Sequence, residues 1–241
     1  MEPITNVNYR QPPTKKPISI FAQNSTGYNK LKNRIPETLM DHIAAKCMNW
    51  AEENEKIIKN SEVVFQYEEN LEKNNDKKRR QIGVQKIIDE KSYKLLKEAV
   101  DDVINEMYPT HYIYRPGKLI ISLPGCGMQM MHMDFEEVDN PEHVQIPIFV
   151  GLMDSHIDMI TGGELFNRNY YRVNYEKGDV VIMHGNQIHR GCKYDKLNIR
   201  LYFYAIHKGI KDNNKDGNDS FSKPNTQIKP RNNNNNDNNI Q

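Results

Sequence analysis

Ten consecutive residues near the end of the chain, Asn198 to His207, alternate without interruption. In an extended chain side chains point to opposite faces with period two, so Arg200, Tyr202, Tyr204 and Ile206 share one face and Ile199, Leu201, Phe203 and Ala205 the other. Both faces are largely apolar, so this is a buried strand, and the fold must be one that covers it.

The same texture begins at Pro109. From there short apolar or alternating segments are separated by Gly, Pro, Asn and Asp, the pattern of a sheet protein. Further strands are expected over Lys118 to Leu123, Met128 to Asp134, Val144 to Leu152, Glu164 to Asn167 and Asp179 to His184. Two helices precede them. One starts at Pro36 as its first helical residue, with Leu39, Ile43, Cys47 and Trp50 at helical spacing. The other starts at Ser92 as its cap, with Leu96, Val100, Val103 and Met107 as the buried stripe and Pro109 as the stop. The class is therefore mainly β with flanking helices.

Residues 1–35, rich in Pro, Asn and Lys, read as a disordered or extended arm, and the Asn-rich residues 209–241 as a low-complexity disordered tail. One domain, 36–208, lies between them, its helical part at 36–109 and its β part at 110–207. The 33 basic and 32 acidic residues leave a net charge of +1, no global field for nucleic acid or membranes. Lys77-Lys78-Arg79-Arg80, the one basic run, reads as a solvated loop. Cys47, Cys126 and Cys192 are too few and too scattered for a disulfide framework or zinc ribbon, and read as buried thiols. Without a secretory leader or a membrane span, a cytoplasmic or nuclear location is expected.

A strand over Met128 to Asp134 places His132 and Asp134 on one face, so an imidazole and a carboxylate converge. His-x-Asp is a weak pattern alone, and His156-Ile157-Asp158 is a second instance. The third ligand must come from a neighbouring strand, and the turn and strand from Gly178 deliver His189 just past its end. His132 precedes His189 by 57 residues, room for the intervening strands. His156 is followed at once by the break Thr161-Gly162-Gly163, so His156 and Asp158 are assigned to a loop. His184 falls inside its strand and ranks below His189. Two imidazoles and a carboxylate on one face form the triad that binds Fe(II) and leaves coordination positions open. An α-keto acid can chelate there, leaving a site for O2, and its far carboxylate needs a cation. Arg200, eleven residues after His189, can supply a bidentate guanidinium in a dry pocket. Tyr202 shares its face and is a candidate second contact to the co-substrate, and Met130 a candidate for lining the iron pocket.

Four ordered blocks now stand out: Gln129-Met130-Met131-His132-Met133-Asp134, Gly162-Gly163-Glu164-Leu165, Gly178-Asp179-Val180-Val181-Ile182, and His189-Arg190-Gly191 followed by Asn198-Ile199-Arg200-Leu201. Over roughly residues 110 to 207 the sequence resembles the Fe(II)- and 2-oxoglutarate-dependent oxygenase superfamily, more loosely its phytanoyl-CoA hydroxylase-like branch. In prolyl hydroxylase-like members the co-substrate cation is commonly lysine, so Arg200 departs from them. The resemblance implies a double-stranded β-helix, a cupin-like jelly roll with N-terminal helices packed on the major sheet. It implies coupling of 2-oxoglutarate decarboxylation to substrate oxidation, usually hydroxylation. Related halogenases lack the carboxylate ligand, which Asp134 supplies here. The substrate is open, a small molecule or protein side chain rather than nucleic acid. Two other readings use the same barrel: a cupin-type metalloenzyme without 2-oxoglutarate, and a non-catalytic module whose Lys77 to Arg80 run docks nucleic acid or an acidic protein.

Overall fold

The computed structural model describes residues 27–55, 78–114, 116–129, 131–132, 134, 145–161, 169–185 and 187–209. The expected tail, the first 26 residues of the arm, Lys77, Met130 and the expected strand at Glu164 to Asn167 lie outside these.

Among the described residues, two α-helices and ten strands run in the order β1 (Tyr28–Leu31), α1 (Glu37–Glu53), β2 (Arg79–Gly83), α2 (Glu90–Met107), β3 (His111–Ile113), β4 (Lys118–Ser122), β5 (Ile146–Gly151), β6 (Ser155–Thr161), β7 (Asn169–Tyr175), β8 (Val180–Met183), β9 (His189–Gly191) and β10 (Asn198–His207). All pairings between strands are antiparallel. A seven-stranded sheet has the order β1-β8-β5-β10-β4-β2, with β3 also on β10; a three-stranded sheet has the order β7-β6-β9.

The alternation at 198–207 is the key to the layering. Ile199, Leu201, Phe203 and Ala205 join Leu119, Ile121, Ile148, Val150, Val180 and Ile182 in a core with Met40, Ile43 and Cys47 of α1 and Leu96, Val100 and Val103 of α2. The helices thus cover the outer face of the larger sheet, burying apolar area at about 25 cal/mol per Å². The opposite face contributes Ile120, Phe149, Val181, Met183 and Tyr202 to a second core, closed by Ile157 and Met159 of β6 and Val173 and Tyr175 of β7. That second core lies between the two sheets, and the face carrying Arg200 looks into it.

Several local expectations are corrected. Helix α1 is capped by Pro36 itself and begins at Glu37, and its buried stripe is Met40, Ile43, Cys47 and Ala51, one step round from Leu39 and Trp50. Helix α2 is capped by Asp89, whose carboxylate accepts from the Ser92 backbone N–H at 3.0 Å and from its hydroxyl at 2.9 Å; Ser92 is the inward partner of the cap rather than the cap. Tyr28–Leu31, assigned to the loose arm, pairs with β8. It is tied there because Asp179 Oδ1 accepts from Asn33 N–H at 3.1 Å while its Oδ2 faces Lys30 Nζ at 3.2 Å. Gly178 turns at φ +82°, a conformation open to glycine, to present that carboxylate. The second half of the basic run is no solvated loop: Arg79 and Arg80 lie in β2 with 0% and 3% exposure, while Lys78 is an exposed turn residue. Among the described residues no helix is long and apolar enough to cross a membrane.

Candidate metal centre

His132 and His189 meet through a two-way backbone bridge, each N–H donating to the other's carbonyl at 2.9 Å. Gln129 likewise pairs with Gly191, so the described residues of the expected strand over Met128 to Asp134 meet β9 through isolated bridges; Met130 and Met133 lie outside the described residues. The segment is held by single contacts because Gly191 admits a close approach. A Cβ there would collide with Gln129 Oε1 and Arg79 Nη1, and the Gly191 N–H donates to that same Gln129 oxygen at 2.8 Å. Arg79 completes the joint by donating to the Gly127 carbonyl at 3.2 Å and to the Cys192 carbonyl. Its guanidinium thus staples the segment before His132 to the chain just after His189.

The result is a cluster in which one ligand atom each from His132, Asp134 and His189 lies within 4.8 Å of the others. Asp134 Oδ1 stands 3.5 Å from His132 Nε2 and 3.6 Å from His189 Nε2. Ligands at right angles on an ion with bonds of about 2.1 Å would be roughly 3 Å apart, so the two pairs that Asp134 makes need to close by well under 1 Å. His189 Nδ1 lies 2.9 Å from the Gln187 carbonyl, an acceptor only, so it carries the proton and Nε2 presents its lone pair to the cluster. Burial holds the His189 pKa down at about 4, keeping the ring neutral and ligand-ready. At Asp134 burial pushes upward, but the neighbouring His189 and His132 rings outweigh it and hold the carboxyl at about 2. A neutral imidazole and an ionised carboxylate are the protonation states a divalent cation requires.

Tyr202, expected to touch the co-substrate, donates its phenol to Asp134 Oδ2 at 3.0 Å. Burial, and then the Asp134 charge, push its pKa well up, so it stays a donor.

Arg200 sits on β10 between Ile120 of β4 and Gly151 of β5, 2% exposed. Its guanidinium donates to Asn198 Oδ1 at 3.1 Å and reaches Ser122 Oγ at 3.4 Å, and it lies 5.7 Å from the Tyr194 ring centre. No carboxylate among the described residues pairs with it, in contrast to Asp158, which Arg172 and Arg190 hold at 2.9 and 3.3 Å. Tyr175, 1% exposed, points a phenol into the same region with no hydrogen-bond partner of ordinary geometry, although the Ser155 hydroxyl lies beside it. An uncompensated buried cation next to an underused donor is costly unless an anion completes it.

His156 and Asp158 are in β6, not in a loop. Neither joins the metal cluster: Asp158 is committed to its two arginines, and the His156 backbone is clamped by Tyr194 Oη at 3.0 and 2.8 Å. His184, the other rival, is buried where its N–H donates to the Gly27 carbonyl at 3.2 Å. Tyr175 and Tyr194 carry no signal beyond residue type; Ser122 lies in the expected strand Lys118 to Leu123 with no role assigned, and Arg79 reads only as part of the basic run.

No protein-family model matches the chain, and no curated protein matches it in sequence. Solved structures do match, and among them are non-heme α-ketoglutarate-dependent enzymes and prolyl hydroxylases. The α-ketoglutarate-dependent carbocyclase SnoK of nogalamycin biosynthesis aligns with TM-score 0.57 and 12% identity over 80% of this chain and 87% of its own. A Pseudomonas putida prolyl-4-hydroxylase aligns with TM-score 0.53 and 13% identity over 79% and 97%. The epimerase SnoN, solved with Fe3+, α-ketoglutarate and nogalamycin RO, aligns with TM-score 0.53 and 12% identity over 88% and 93%. The fold of this chain, mainly β with two helices and facing antiparallel sheets, is thus the jelly roll found in that class of enzyme.

Proposed function

We infer that the chain is an Fe(II)- and 2-oxoglutarate-dependent oxygenase built as one double-stranded β-helix domain, with His132, Asp134 and His189 as the metal ligands. The observation that carries this reading is the buried guanidinium of Arg200, which meets no carboxylate among the described residues and is on the face of the larger sheet that looks toward the smaller one. The donor set suits Fe(II), since two neutral imidazoles and one carboxylate on one face leave the opposite positions open. The cation, with the spare phenol of Tyr175, suits the far carboxylate of a keto acid chelated there. Once bound, the iron and the keto acid would supply the oxidising chemistry, activation of O2 coupled to decarboxylation of 2-oxoglutarate to succinate.

The protein's own contribution is binding, orientation and exclusion of water. Gln187 fixes the His189 tautomer, the two-way backbone bridge sets the spacing of the histidines, and Arg200 orients the keto acid by a charge-assisted pair. Phe149, whose ring is 6.1 Å from His189 and 5.2 Å from Tyr202, keeps the floor apolar.

Hydroxylation is the outcome we favour, because Asp134 is retained as a ligand; the similar structures include a carbocyclase and an epimerase as well as a hydroxylase. For the substrate we favour a small molecule or a protein side chain. A nucleic-acid docking role for the Lys77 to Arg80 run loses its basis, since Arg79 and Arg80 are buried. Oxygen-dependent release of succinate from 2-oxoglutarate by the iron-loaded protein tests the reading. The rate should fall to background in His132→Ala; its absence in wild type across a panel of candidate substrates counts against an oxygenase.

A further inference from the structure

Asp134 has two carboxylate oxygens, and the fold gives them different neighbours. Oδ1 faces both imidazole Nε2 atoms, at 3.5 and 3.6 Å. Oδ2 accepts the Tyr202 phenol at 3.0 Å. We propose that Tyr202 is a positioning residue for the metal centre: its hydroxyl captures Oδ2 of Asp134, so that the carboxylate offers one oxygen to the ion and leaves the other coordination positions free for the keto acid and dioxygen. This rests on the oxygenase reading above and adds to it the residue that keeps the site open.

The reason a keeper is needed lies in how Asp134 is tethered. Asp134 lies two residues beyond the His132 bridge. Its carboxylate can rotate about its own side-chain torsions, and bidentate binding through both oxygens would fill a second position on the ion. That position is one the keto acid needs for chelation. Tyr202 opposes this from a rigid platform. It is in the middle of β10, paired with Phe149 of β5 and Lys118 of β4. Its ring is wedged between Phe149 at 5.2 Å and Tyr204 at 6.4 Å. It is two residues beyond Arg200 on the same face, so a single strand presents both the keto-acid cation and the clamp on the ligand carboxylate. Outer partners of metal ligands typically contribute about 10- to 100-fold in metal affinity.

The test uses the full chain and Co(II), a spectroscopically visible stand-in for Fe(II). Tyr202→Phe keeps the ring and its packing and removes only the hydroxyl. Co(II) is titrated into metal-free wild type, Tyr202→Phe and Tyr204→Phe, followed by 2-oxoglutarate, with visible absorption as the readout. Tyr202→Phe should bind Co(II) about 10-fold more weakly, show an altered Co(II) spectrum, and respond more weakly to 2-oxoglutarate. Tyr204→Phe, which removes the neighbouring phenol on the same face of β10, should behave as wild type. Tyr202→Phe matching wild type in Co(II) affinity, spectrum and 2-oxoglutarate response overturns this inference alone. A wild-type protein that takes up no Co(II) overturns both this and the oxygenase reading.

Discussion

Replacing Arg200 by Met should have two effects of opposite sign, and the structure sets the scale of each. The guanidinium is 2% exposed and its described partners are neutral, Asn198 Oδ1 at 3.1 Å and Ser122 Oγ at 3.4 Å. Without ligand, the protein therefore carries a buried charge whose desolvation costs several kcal/mol and is poorly compensated. Met fills a similar unbranched volume without the charge, so the ligand-free variant should be at least as stable. A gain of about 1 kcal/mol, net of the lost hydrogen bonds, corresponds to roughly 2–4 °C in Tm for a domain of this size. With 2-oxoglutarate the sign reverses. Losing one member of a buried charge pair costs about 2–5 kcal/mol, which at about 1.4 kcal/mol per decade is roughly 30-fold to several-thousand-fold in Kd. Metal affinity should be unchanged, because Arg200 is not a ligand. Thermal unfolding of the metal-free protein and 2-oxoglutarate titration of the metal-loaded protein read the two effects separately. A 2-oxoglutarate Kd within about threefold of wild type would refute the reasoning, as would a large loss of ligand-free stability.

Gly191→Ala should disrupt the joint between the two ligand-bearing segments, since the new Cβ meets Arg79 Nη1 and Gln129 Oε1, the oxygen that already accepts from the Gly191 N–H. Overpacking of this kind costs about 1–3 kcal/mol, so both Tm and Co(II) affinity should fall; unchanged metal binding would show that the joint does not set the ligand spacing. The metal-free protein should lose stability as pH falls below about 6.5. The unfolded His189 takes up a proton there, while burial holds the folded ring neutral down to about 4. By linkage this is on the order of 2 kcal/mol by pH 5. Denaturant midpoints at pH 7 and pH 5 measure it, and the pH dependence should flatten in His189→Gln; an equally steep profile in that variant would remove His189 as its source.

The metal triad and Arg200 could be read from sequence because each belongs to a pattern with a geometric period. His-x-Asp puts two donors on one side of an extended chain, and the alternation at 198–207 fixes which face Arg200 occupies. What stayed hidden was set by tertiary partners. Arg79 and Arg80 look solvated in isolation, and it takes tertiary partners such as the Gly127 and Cys192 carbonyls to make a buried guanidinium tolerable. β6 was taken for a loop because Gly162-Gly163 follows it, yet Ile157 and Met159 close the inner core while Asp158 is neutralised by arginines on the two adjacent strands. Tyr28–Leu31 has too little apolar character to announce a strand, and its place depends on Asp179, some 150 residues away. The division of labour between the two oxygens of Asp134 leaves no mark in the sequence.

The most direct measurement is an anaerobic titration of the full-length protein with Fe(II) and then 2-oxoglutarate, followed by visible absorption. A keto acid chelated to iron on this triad, with Arg200 at its far end, predicts a charge-transfer band. The band should appear only when both are present, saturate at one 2-oxoglutarate per iron, and vanish in His132→Ala. A protein that gives no such band, or one that His132→Ala leaves intact, contradicts the assignment of this pocket.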